Sequence, residues 1–442
     1  MIICCGEALI DMVRGRFPGL GDSFLPLPGG SPYNTAIAIG RLGAQVKFLG
    51  NLSNDFFGDI LVKRLHDNRV GEELITRSGH NSSLAFVKLE KGKEPQYIFY
   101  TEGSADRSLS AENLPPKLPA DTTCIHFGSI AMTMEPIASA IEALILREGT
   151  RKSADQMDGA PVVSFDPNVR PMMIKDRNAY VERFERWIAA STIAKISAGD
   201  FAFLYPKLEI GWALQKILAM GPRLAVCTMG PKGAMALLRR NDGNLIRASA
   251  PVADLPLVDT IGAGDSFHGA FLSWLEIKGK MSRSALAALS ETDLHDALLF
   301  ANKAASITCS RRGAEPPSRR EVENLKMPGA KAKPGKTAPK NAAGTKAAAG
   351  KTQARPKAPS AKASVKKPAP KIAAAKAAAK MPVAKAPSAK APVKKPAPKT
   401  AATKASAKMP VAKAPSAKAP VKKPAPKAPA AKSKAAAKSG KK

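Results

Sequence analysis

Short apolar runs that alternate with longer amphipathic segments constrain the fold of this chain more than any other feature of its sequence. The apolar runs have strand length and no polar alternation, and the segments between them repeat apolar residues at helical spacing. Such strands, separated by helices, indicate an α/β fold with a mainly parallel sheet covered on both faces. The predicted strands are residues 2–5, 46–49, 124–127, 162–165, 224–228 and 234–238, and the predicted helices include 34–42 and 136–147.

Two segments break this alternation and predict a smaller β element beside the main sheet. Residues 11–28 are rich in glycine and proline, and residues 83–105 contain two strand-like runs, SLAFVKL and QYIFY, around the turn EKGKE. We expect both segments to contribute to a lid.

The positive charge of the chain is concentrated at its C-terminal end, which sets a domain boundary. Of 442 residues with a formal net charge of +33, residues 327–442 hold 30 Lys, one Arg and no Asp or Glu, so residues 1–326 carry +2. The first part is long enough for one large α/β domain. The second part is Ala, Lys and Pro without aromatic residues, and KMPVAKAPSAKAPVKKPAPK occurs in it at 380–399 and 408–427. This composition cannot bury a core and predicts a disordered tail.

The composition of this tail resembles the C-terminal tails of linker histones. Its 31 positive charges predict non-specific, strongly salt-dependent binding of nucleic acid or another polyanion. Without aromatic side chains for base stacking, recognition of base sequence is not expected. A solvated tail without a dedicated partner is the alternative interpretation.

Cysteine usage and hydropathy argue against secretion and membrane insertion. The five cysteines are odd in number and contain no CxxC pair, which is typical of reduced thiols in a cytoplasmic protein. The N-terminus MIICCGEALIDMV lacks the basic start and long apolar core of a signal peptide, and no run of eighteen apolar residues predicts a transmembrane helix. We therefore expect a cytoplasmic protein without a membrane partner, associated with the nucleoid where the tail binds DNA.

The stretch DTIGAGDSF, residues 259–267, combines a turn suited to an anion with two acids. Small residues at 262–264 let backbone N–H groups approach an anion, and a helix opened by Asp265 and Ser266 would add the positive end of its dipole. Such a turn suits a phosphoryl group in transfer, and an acid beside it can accept a hydroxyl proton. From these residues alone, a tight turn with an N-cap aspartate fits equally well.

A second stretch far upstream turns this motif into a family resemblance. DTIGAGDSF resembles the C-terminal signature of the PfkB/ribokinase family of sugar and nucleoside kinases, and residues 29–61 resemble its N-terminal signature. The resemblance runs over residues 1–322 and implies a ribokinase-like three-layer sandwich, with a central mainly parallel sheet and a small β lid. It also implies ATP as phosphate donor and Mg²⁺ with the nucleotide.

The resemblance assigns roles to individual residues of the two signatures. It implies that Asp265 is the catalytic base. The implied anion hole, which includes the Asp265 amide, is formed by Gly262, Ala263 and Gly264. The implied sugar-binding residues are Asp11, Gly29, Gly30 and Asn34. Taken singly, each of these sugar-site residues fits a turn or cap equally well.

Two further segments resemble the nucleotide and phosphate sites of the family. CTMGPKGA, residues 227–234, resembles the TxGxxG segment and FANKAAS contains a position beside the adenine. The implied nucleotide-binding residues are Thr228, Gly230, Gly233 and Asn302. FDPNVRP resembles the DPNxR segment of fructokinases and 2-keto-3-deoxygluconate kinases. It implies contacts of Asp166 with the magnesium–phosphate water shell, of Asn168 with the phosphates, and of Arg170 with donor phosphate or substrate. A structural salt bridge is the alternative for Arg170.

The resemblance also implies a monovalent-cation site, with K⁺ as the expected ion, that would order the backbone beside the anion hole. The corresponding residues are Asp259, Ile261, Thr308 and Gly313. The alternative role for Asp259 is a hydrogen bond that shapes the turn.

Two departures from the family pattern bear on activity and substrate. Many relatives carry an N-x-x-E or S-x-x-E element linked to magnesium. Here Leu208 falls at its acid position and Glu209 one residue away. A one-residue shift would restore the acid, and otherwise the magnesium network is weakened. At the end of the lid, Thr101 occupies a position where 2-keto-3-deoxygluconate kinases often have an arginine suited to a substrate carboxylate, and Glu102 follows it. An acid near the sugar disfavours an anionic substrate, although Arg107 could still serve one.

These observations predict an ATP-dependent sugar kinase, with fructose as the favoured substrate and a nucleic-acid-binding tail. A homodimer is a further expectation. One alternative is a 2-keto-3-deoxygluconate kinase or ribokinase-like enzyme. The other is a DNA-binding protein whose kinase body has lost catalysis, which the magnesium departure favours and the intact Asp265 turn opposes.

Overall fold

The computed structural model describes residues 1–327 except 18, 20, 89–95 and 150–158. The chain divides into two units, Met1–Asn341 and Ala342–Lys442, and every described residue belongs to the first. The predictions of tail disorder and of the EKGKE turn concern residues that, apart from 327, lie outside the described part.

The described residues form two β-sheets and ten α-helices. The strands are β1 Ile2–Cys5, β2 Leu9–Phe17, β3 Gly21–Gly29, β4 Val46–Ser53, β5 Gly71–Ser78, β6 Ser83–Lys88, β7 Gln96–Tyr100, β8 Cys124–Gly128, β9 Val162–Asp166, β10 Ile193–Ser197, β11 Leu224–Thr228, β12 Ala234–Arg239 and β13 Leu245–Ala250. The helices are α1 Ser31–Leu42, α2 Phe56–Asp67, α3 Ile137–Gly149, α4 Arg177–Ala189, α5 Ala198–Leu204, α6 Ile210–Met220, α7 Ala263–Ile277, α8 Arg283–Ala287, α9 Glu291–Cys309 and α10 Arg319–Asn324.

The main sheet has the strand order β13-β12-β11-β10-β9-β8-β1-β4-β5. In this spatial order, all neighbouring strands from β11 at one side to β5 at the other pair in parallel. Strands β12 and β13 extend the sheet beyond β11 in antiparallel pairing. The chain leaves β1 towards β4 on one side and returns to β8 on the other. This reversal of strand order opens a crevice at the carboxyl ends of the strands, where ligands bind in open α/β sheets.

Alternate residues of the central strands enter two separate cores, one on each face of the sheet. Ile2 and Cys4 of β1 face the core that α1, α2, α7 and α9 cover, whereas Ile3 and Cys5 face the core that α3, α4 and α6 cover. All four side chains are fully buried. Helices therefore lie on both faces, and the predicted three-layer α/β architecture is confirmed.

The six predicted strands are all present, but β5, β10 and β13 were not predicted. The latter two contain charged residues that hide the apolar pattern, since Lys195 lies in β10 and Arg247 in β13. Lys195 is compatible with a buried strand because it pairs with Asp166. The predicted helix 34–42 begins three residues earlier, with proline in its first turn, where proline needs no hydrogen-bond donor.

The predicted lid is a second sheet of order β3-β2-β6-β7. The pairing register places Asp11, Ala85 and Phe99 on the face that looks towards the main domain. Phe86 and Ile98 lie on the opposite face by the same alternation. The two segments that broke the helical rhythm of the sequence are therefore joined in one small sheet.

Within the described ranges, no helix has the length and apolar character needed to cross a membrane. All five cysteines are described and all are free, and the four in strands are buried.

Candidate active site

The turn at residues 260–265 connects an extended loop to helix α7. Gly262 has a φ of 72°, in the left-handed region, and a Cβ atom there would lie 2.5 Å from the Cβ atom of Ala314. The helix begins at Ala263, two residues before the predicted start at Asp265. Because the first amides of a helix have no intrahelical acceptor and lie at its positive end, this turn can bind an anion.

Asp265 lies in the first turn of α7 and is 6% exposed. The Ser31 hydroxyl donates to one carboxylate oxygen at 2.7 Å, and the Asn34 amide donates to the other at 3.0 Å. Burial raises the pKa of Asp265, while these two hydrogen bonds act in the opposite direction. The carboxyl group is thus held in one orientation and is a better proton acceptor than an exposed aspartate.

A polar pocket lies on one side of this turn, between the lid and the main sheet. Several predicted sugar-site residues line it together with residues that sequence reasoning did not select. Its lining comprises Glu7, Leu9, Asp11, Gly30, Ser31, Asn34, Tyr97, Phe99, Ser129, Ile130, Asn168, Arg170, Ile261, Gly262 and Asp265. Gly29 lies behind it, where a Cβ atom would come 2.2 Å from the Asp11 carboxylate.

Asp11 lies in strand β2, with its carboxylate largely buried in the polar pocket. Burial and the nearby Asp265 carboxylate raise the pKa of Asp11 to about 7, although the Arg170 charge opposes this shift. Arg170 itself donates to the Asn168 side chain at 2.7 Å and lies 5.6 Å from the centre of the Tyr97 ring. The arginine therefore connects the body to the lid beside the polar pocket, and its charge lowers the pKa of Asp11.

Glu7 is a pocket residue that the sequence reasoning missed. It is 1% exposed and accepts hydrogen bonds from the Ser31 amide at 3.0 Å and the Ala131 amide at 3.2 Å. Burial raises its pKa to about 8, although its hydrogen bonds, including one from Ser129, lower it. Its position two residues after a fully apolar strand was the signal that could have identified it, because ligand sites gather at that end.

An apolar pocket lies on the other side of the turn. It brings together four of the five predicted nucleotide-binding residues, without Asn168, and three residues of the turn, Thr260, Ala263 and Gly264. Its lining comprises Thr228, Gly230, Pro231, Gly233, Val252, Ala253, Leu255, Leu257, Thr260, Ala263, Gly264, Phe267, Asn302, Ala305, Ser306 and Cys309. The Asn302 side chain donates to the carbonyl of Ala250 at 2.8 Å, which fixes its orientation. The turn thus separates a polar pocket from an apolar one.

Buried charged residues support the loop that follows β9. Asp166 is 2% exposed, its carboxylate lies 2.8 Å from the Lys195 ammonium, and it accepts from the Asn168 amide at 3.2 Å. Burial alone would raise the pKa of Asp166, but the Lys195 charge and the neighbouring His268 hold it well below its usual range. Asp166 does not line either pocket, whereas Asn168 and Arg170 face the cleft beside Gly264.

The structure corrects the predicted position of the S-x-x-E element. The strand that follows the Asp166 segment is β10, which ends at Ser197, so the matching stretch is Ser197-Ala-Gly-Asp200 with aspartate in place of glutamate. Asp200 is buried and accepts from the Val169 amide at 2.8 Å. Leu208 and Glu209 lie beyond the next helix and are exposed. The element was placed too late in the sequence because β10, which contains Lys195, was not recognised as a strand.

The predicted cation-site residues lie close together. The two carboxylate oxygens of Asp259 accept from the amides of Ile261 at 3.0 Å and Gly313 at 2.9 Å, joining the two loops. The Thr308 hydroxyl instead donates to Ser266 at 2.8 Å. Asp259 therefore shapes the turn.

The prediction that Glu102, at the end of the lid, places an acid near the sugar is wrong. Glu102 forms an ion pair with Arg107, its side chain is 90% exposed, and neither residue lines the polar pocket. The acids that do line the polar pocket are Glu7, Asp11 and Asp265.

The raised pKa of Asp11 predicts a pH-dependent stability. Its pKa in the folded protein, about 7, exceeds that of an unfolded aspartate. Its contribution to the free energy of unfolding is therefore fully present below about pH 4 and is lost as pH rises through about 7. We expect Asp11→Asn to flatten the fall in unfolding free energy between pH 5 and 8, by up to about 1 kcal/mol per pH unit. Urea denaturation at several pH values measures this. The exposed Asp254→Asn is the control, and an unchanged slope in Asp11→Asn would contradict the burial argument.

Comparison with known proteins agrees with this geometry. A family model described as pfkB family carbohydrate kinase matches residues 1–320. A fructokinase from Rhizobium leguminosarum bv. trifolii is 35% identical over 302 residues, which cover 67% of this chain and 86% of that protein.

Solved structures share the fold. A fructokinase from Xylella fastidiosa with bound ATP has a TM-score of 0.64 at 26% identity, covering 73% of this chain and 96% of its own. A fructokinase from Vibrio cholerae O395, in a form with fructose, ADP and calcium ion, has a TM-score of 0.62 at 25% identity, covering 73% and 97%. The ribokinase-like fold is thereby confirmed, and the chain belongs to the pfkB family of carbohydrate kinases.

Proposed function

We propose that this protein transfers the γ-phosphoryl group of ATP to a hydroxyl of fructose. The observation that supports this most directly is the position of the 262–265 turn, which lies between a polar pocket and an apolar pocket. A sugar in the first and a nucleotide in the second would meet at the amides of this turn, beside the Asp265 carboxylate.

Asp265 acts as the general base in this proposal. Ser31 and Asn34 orient its carboxylate, and one of its oxygens accepts the proton as the sugar hydroxyl attacks. The amides of Gly262, Gly264 and Asp265 stabilise the charge that develops on the phosphoryl group, because they are fixed before reaction and need no reorganisation. The Ala263 amide, also predicted for this role, already donates to the Thr260 carbonyl at 3.2 Å. Arg170 and Asn168 lie across the cleft from Gly264 and would contact the same oxygens.

The nucleotide and its metal fit the donor set of the cleft. The apolar pocket suits a purine ring, and Thr228, Gly230, Gly233 and Asn302 surround it. The described part of the chain has no group of three or more His, Cys, Asp or Glu that could hold a metal. Magnesium would therefore arrive with the phosphates, where it neutralises charge on the transferred group, and Asp166 and Asp200 would act on it through the loop and waters.

Fructose is favoured because of the charge of the sugar pocket. Glu7, Asp11 and Asp265 line it against the single arginine Arg170. Such a pocket offers hydrogen-bonding groups to the hydroxyls of a neutral sugar, whereas a substrate carboxylate would have only the Arg170 charge to pair with. The fructokinases among the relatives agree with this choice.

A K⁺ ion beside the turn is a further part of the proposal. Asp259 already joins the loops at Ile261 and Gly313, and a monovalent cation bound by carbonyl oxygens there would stiffen the same backbone. Thr308, whose hydroxyl bonds Ser266, would contribute its carbonyl oxygen.

The tail would bind DNA or RNA through its phosphates. Residues 327–442 supply 31 positive charges and no acid, so each contact releases counterions and binding weakens steeply with salt. Such binding would associate the enzyme with the nucleoid without selecting a base sequence.

Self-association through the lid is also proposed. The outer face of the lid sheet exposes Phe24, Ile98 and Tyr100 by 44%, 62% and 61%. Phe86 packs edge-on against Phe24 and Tyr100, so the face is a continuous aromatic surface. A second copy of the chain would bury it, which gives a homodimer.

The kinase proposal is tested by a panel of sugars with ATP, Mg²⁺, and K⁺ or Na⁺. We expect the highest kcat/KM with fructose, a lower rate without K⁺, and a loss of about 10²–10⁴-fold in kcat for Asp265→Asn.

Exposed Asp254→Asn serves as the matched control for the loss of one negative charge. Faster turnover of 2-keto-3-deoxygluconate than of fructose would reject the substrate. An active Asp265→Asn would reject the base assignment, and no transfer to any sugar by the wild type would reject the kinase.

Deletion of residues 327–442 tests the tail. We expect the truncated protein to lose retention of DNA in gel-shift assays at low salt and to keep most of its kinase activity, because the tail supplies the excess charge. Equal retention by the truncated protein would reject nucleic-acid binding by the tail.

Sedimentation of the Ile98→Glu variant tests the dimer. We expect a charge on the outer lid face to convert the wild-type dimer to a monomer, whereas a charge at the exposed Trp212 leaves it dimeric. A monomeric wild type would rule out self-association.

A further inference from the structure

We propose that Glu7 is a positioning residue that connects the far wall of the sugar pocket to the catalytic base through Ser31. This inference rests on the proposed role of Asp265. It adds a residue outside the two signatures. It also predicts that substitution of this residue changes kcat and the KM for the sugar, with little change in the KM for ATP.

The first link joins Glu7 to Ser31, the residue whose hydroxyl donates to the proposed base Asp265. One Glu7 oxygen accepts from the Ser31 amide at 3.0 Å, and the Ser31 hydroxyl donates to Asp265 at 2.7 Å. Both groups belong to one residue at the start of α1, so a displacement of its backbone moves its hydroxyl. Glu7 therefore fixes the position of the Ser31 hydroxyl, which orients the Asp265 carboxylate.

The second link joins Glu7 to the opposite wall of the pocket. Its other oxygen accepts from the Ala131 amide at 3.2 Å, in the loop that follows β8. Ser129 in this loop has a φ of 62°, a strained conformation for a residue with a side chain. The Glu7 bond helps to retain that conformation, and Ser129 and Ile130 line the sugar pocket.

Burial makes this arrangement sensitive to substitution. Glu7 is 1% exposed, so water cannot replace a lost acceptor, and an amide left without a partner there is costly. Glutamine has the same shape, but its nitrogen cannot accept the hydrogen bond from Ser31 or Ala131. The apolar pocket has no contact with Glu7, so effects on the nucleotide should be small.

The experiment compares Glu7→Gln, Ser31→Ala and the double variant in steady-state assays. We expect Glu7→Gln to lower kcat by about 10-fold and to raise KM for the sugar several-fold, with KM for ATP changed by less than about two-fold. The double variant should have the kcat of Ser31→Ala, because Glu7 acts on the base through that side chain.

Glu276→Gln is the matched control. Its carboxylate bridges the N-terminal ammonium at 2.7 Å and the Thr123 hydroxyl at 2.8 Å, at the other end of the strand that precedes Glu7. We expect it to change stability without the selective rise in KM for the sugar. Equal rises in both KM values for Glu7→Gln would indicate general loosening and overturn the proposal.

Other outcomes are also decisive. Wild-type kinetics for Glu7→Gln, or additive losses of kcat in the double variant, overturn the proposal while leaving the base assignment intact. An active Asp265→Asn overturns the base assignment itself. Where Glu7→Gln does not fold, amide hydrogen exchange of the wild type decides: protection at both Ser31 and Ala131 supports the link, and rapid exchange at either overturns it.

Discussion

The hydrogen bonds between Asp265 and the first turn of α1 organise the site on which the rest of the structure converges. Ser31 and Asn34 come from the N-terminal region of the chain and Asp265 from a helix more than 200 residues later. The two helices pack side by side on one face of the sheet. The packing of that face therefore determines the distance between the start of α1 and the turn at residues 260–265.

A second layer of buried charge lies beneath this contact. Lys195 lies 2.8 Å from Asp166, and Asp200 holds the Val169 amide. Burying an unpaired charge is expensive, so these groups are buried together as a matched set. They hold the loop that presents Asn168 and Arg170 to the cleft. The polar network thus transfers the rigidity of the central strands to the residues that would contact phosphate.

The segments CTMGPKGA and FANKAAS predicted four residues of the apolar pocket. The two signatures predicted the turn and, in the polar pocket, Gly30, Asn34 and Asp265. They succeed because their roles depend on backbone amides and small residues in a contiguous stretch. Glu7 and Lys195, which lie outside the signatures, were missed, since a single charged residue near a strand has many possible structural roles. The prediction failed around Leu208 and Glu209 because β10 was overlooked, and its Glu102 argument failed because sequence proximity does not give side-chain direction.

The sequence by itself determined the α/β class, the family and the separation of a nearly neutral domain from a cationic tail, because these follow from periodicity, contiguous motifs and charge. Tertiary structure alone decided which acids line the polar pocket and which are neutralised behind it. Glu7, Asp11 and Asp265 converge in one pocket, whereas Asp166 pairs with Lys195 and Glu102 points to solvent. Burial and orientation distinguish these carboxylates, and both depend on contacts between segments that are distant in the chain.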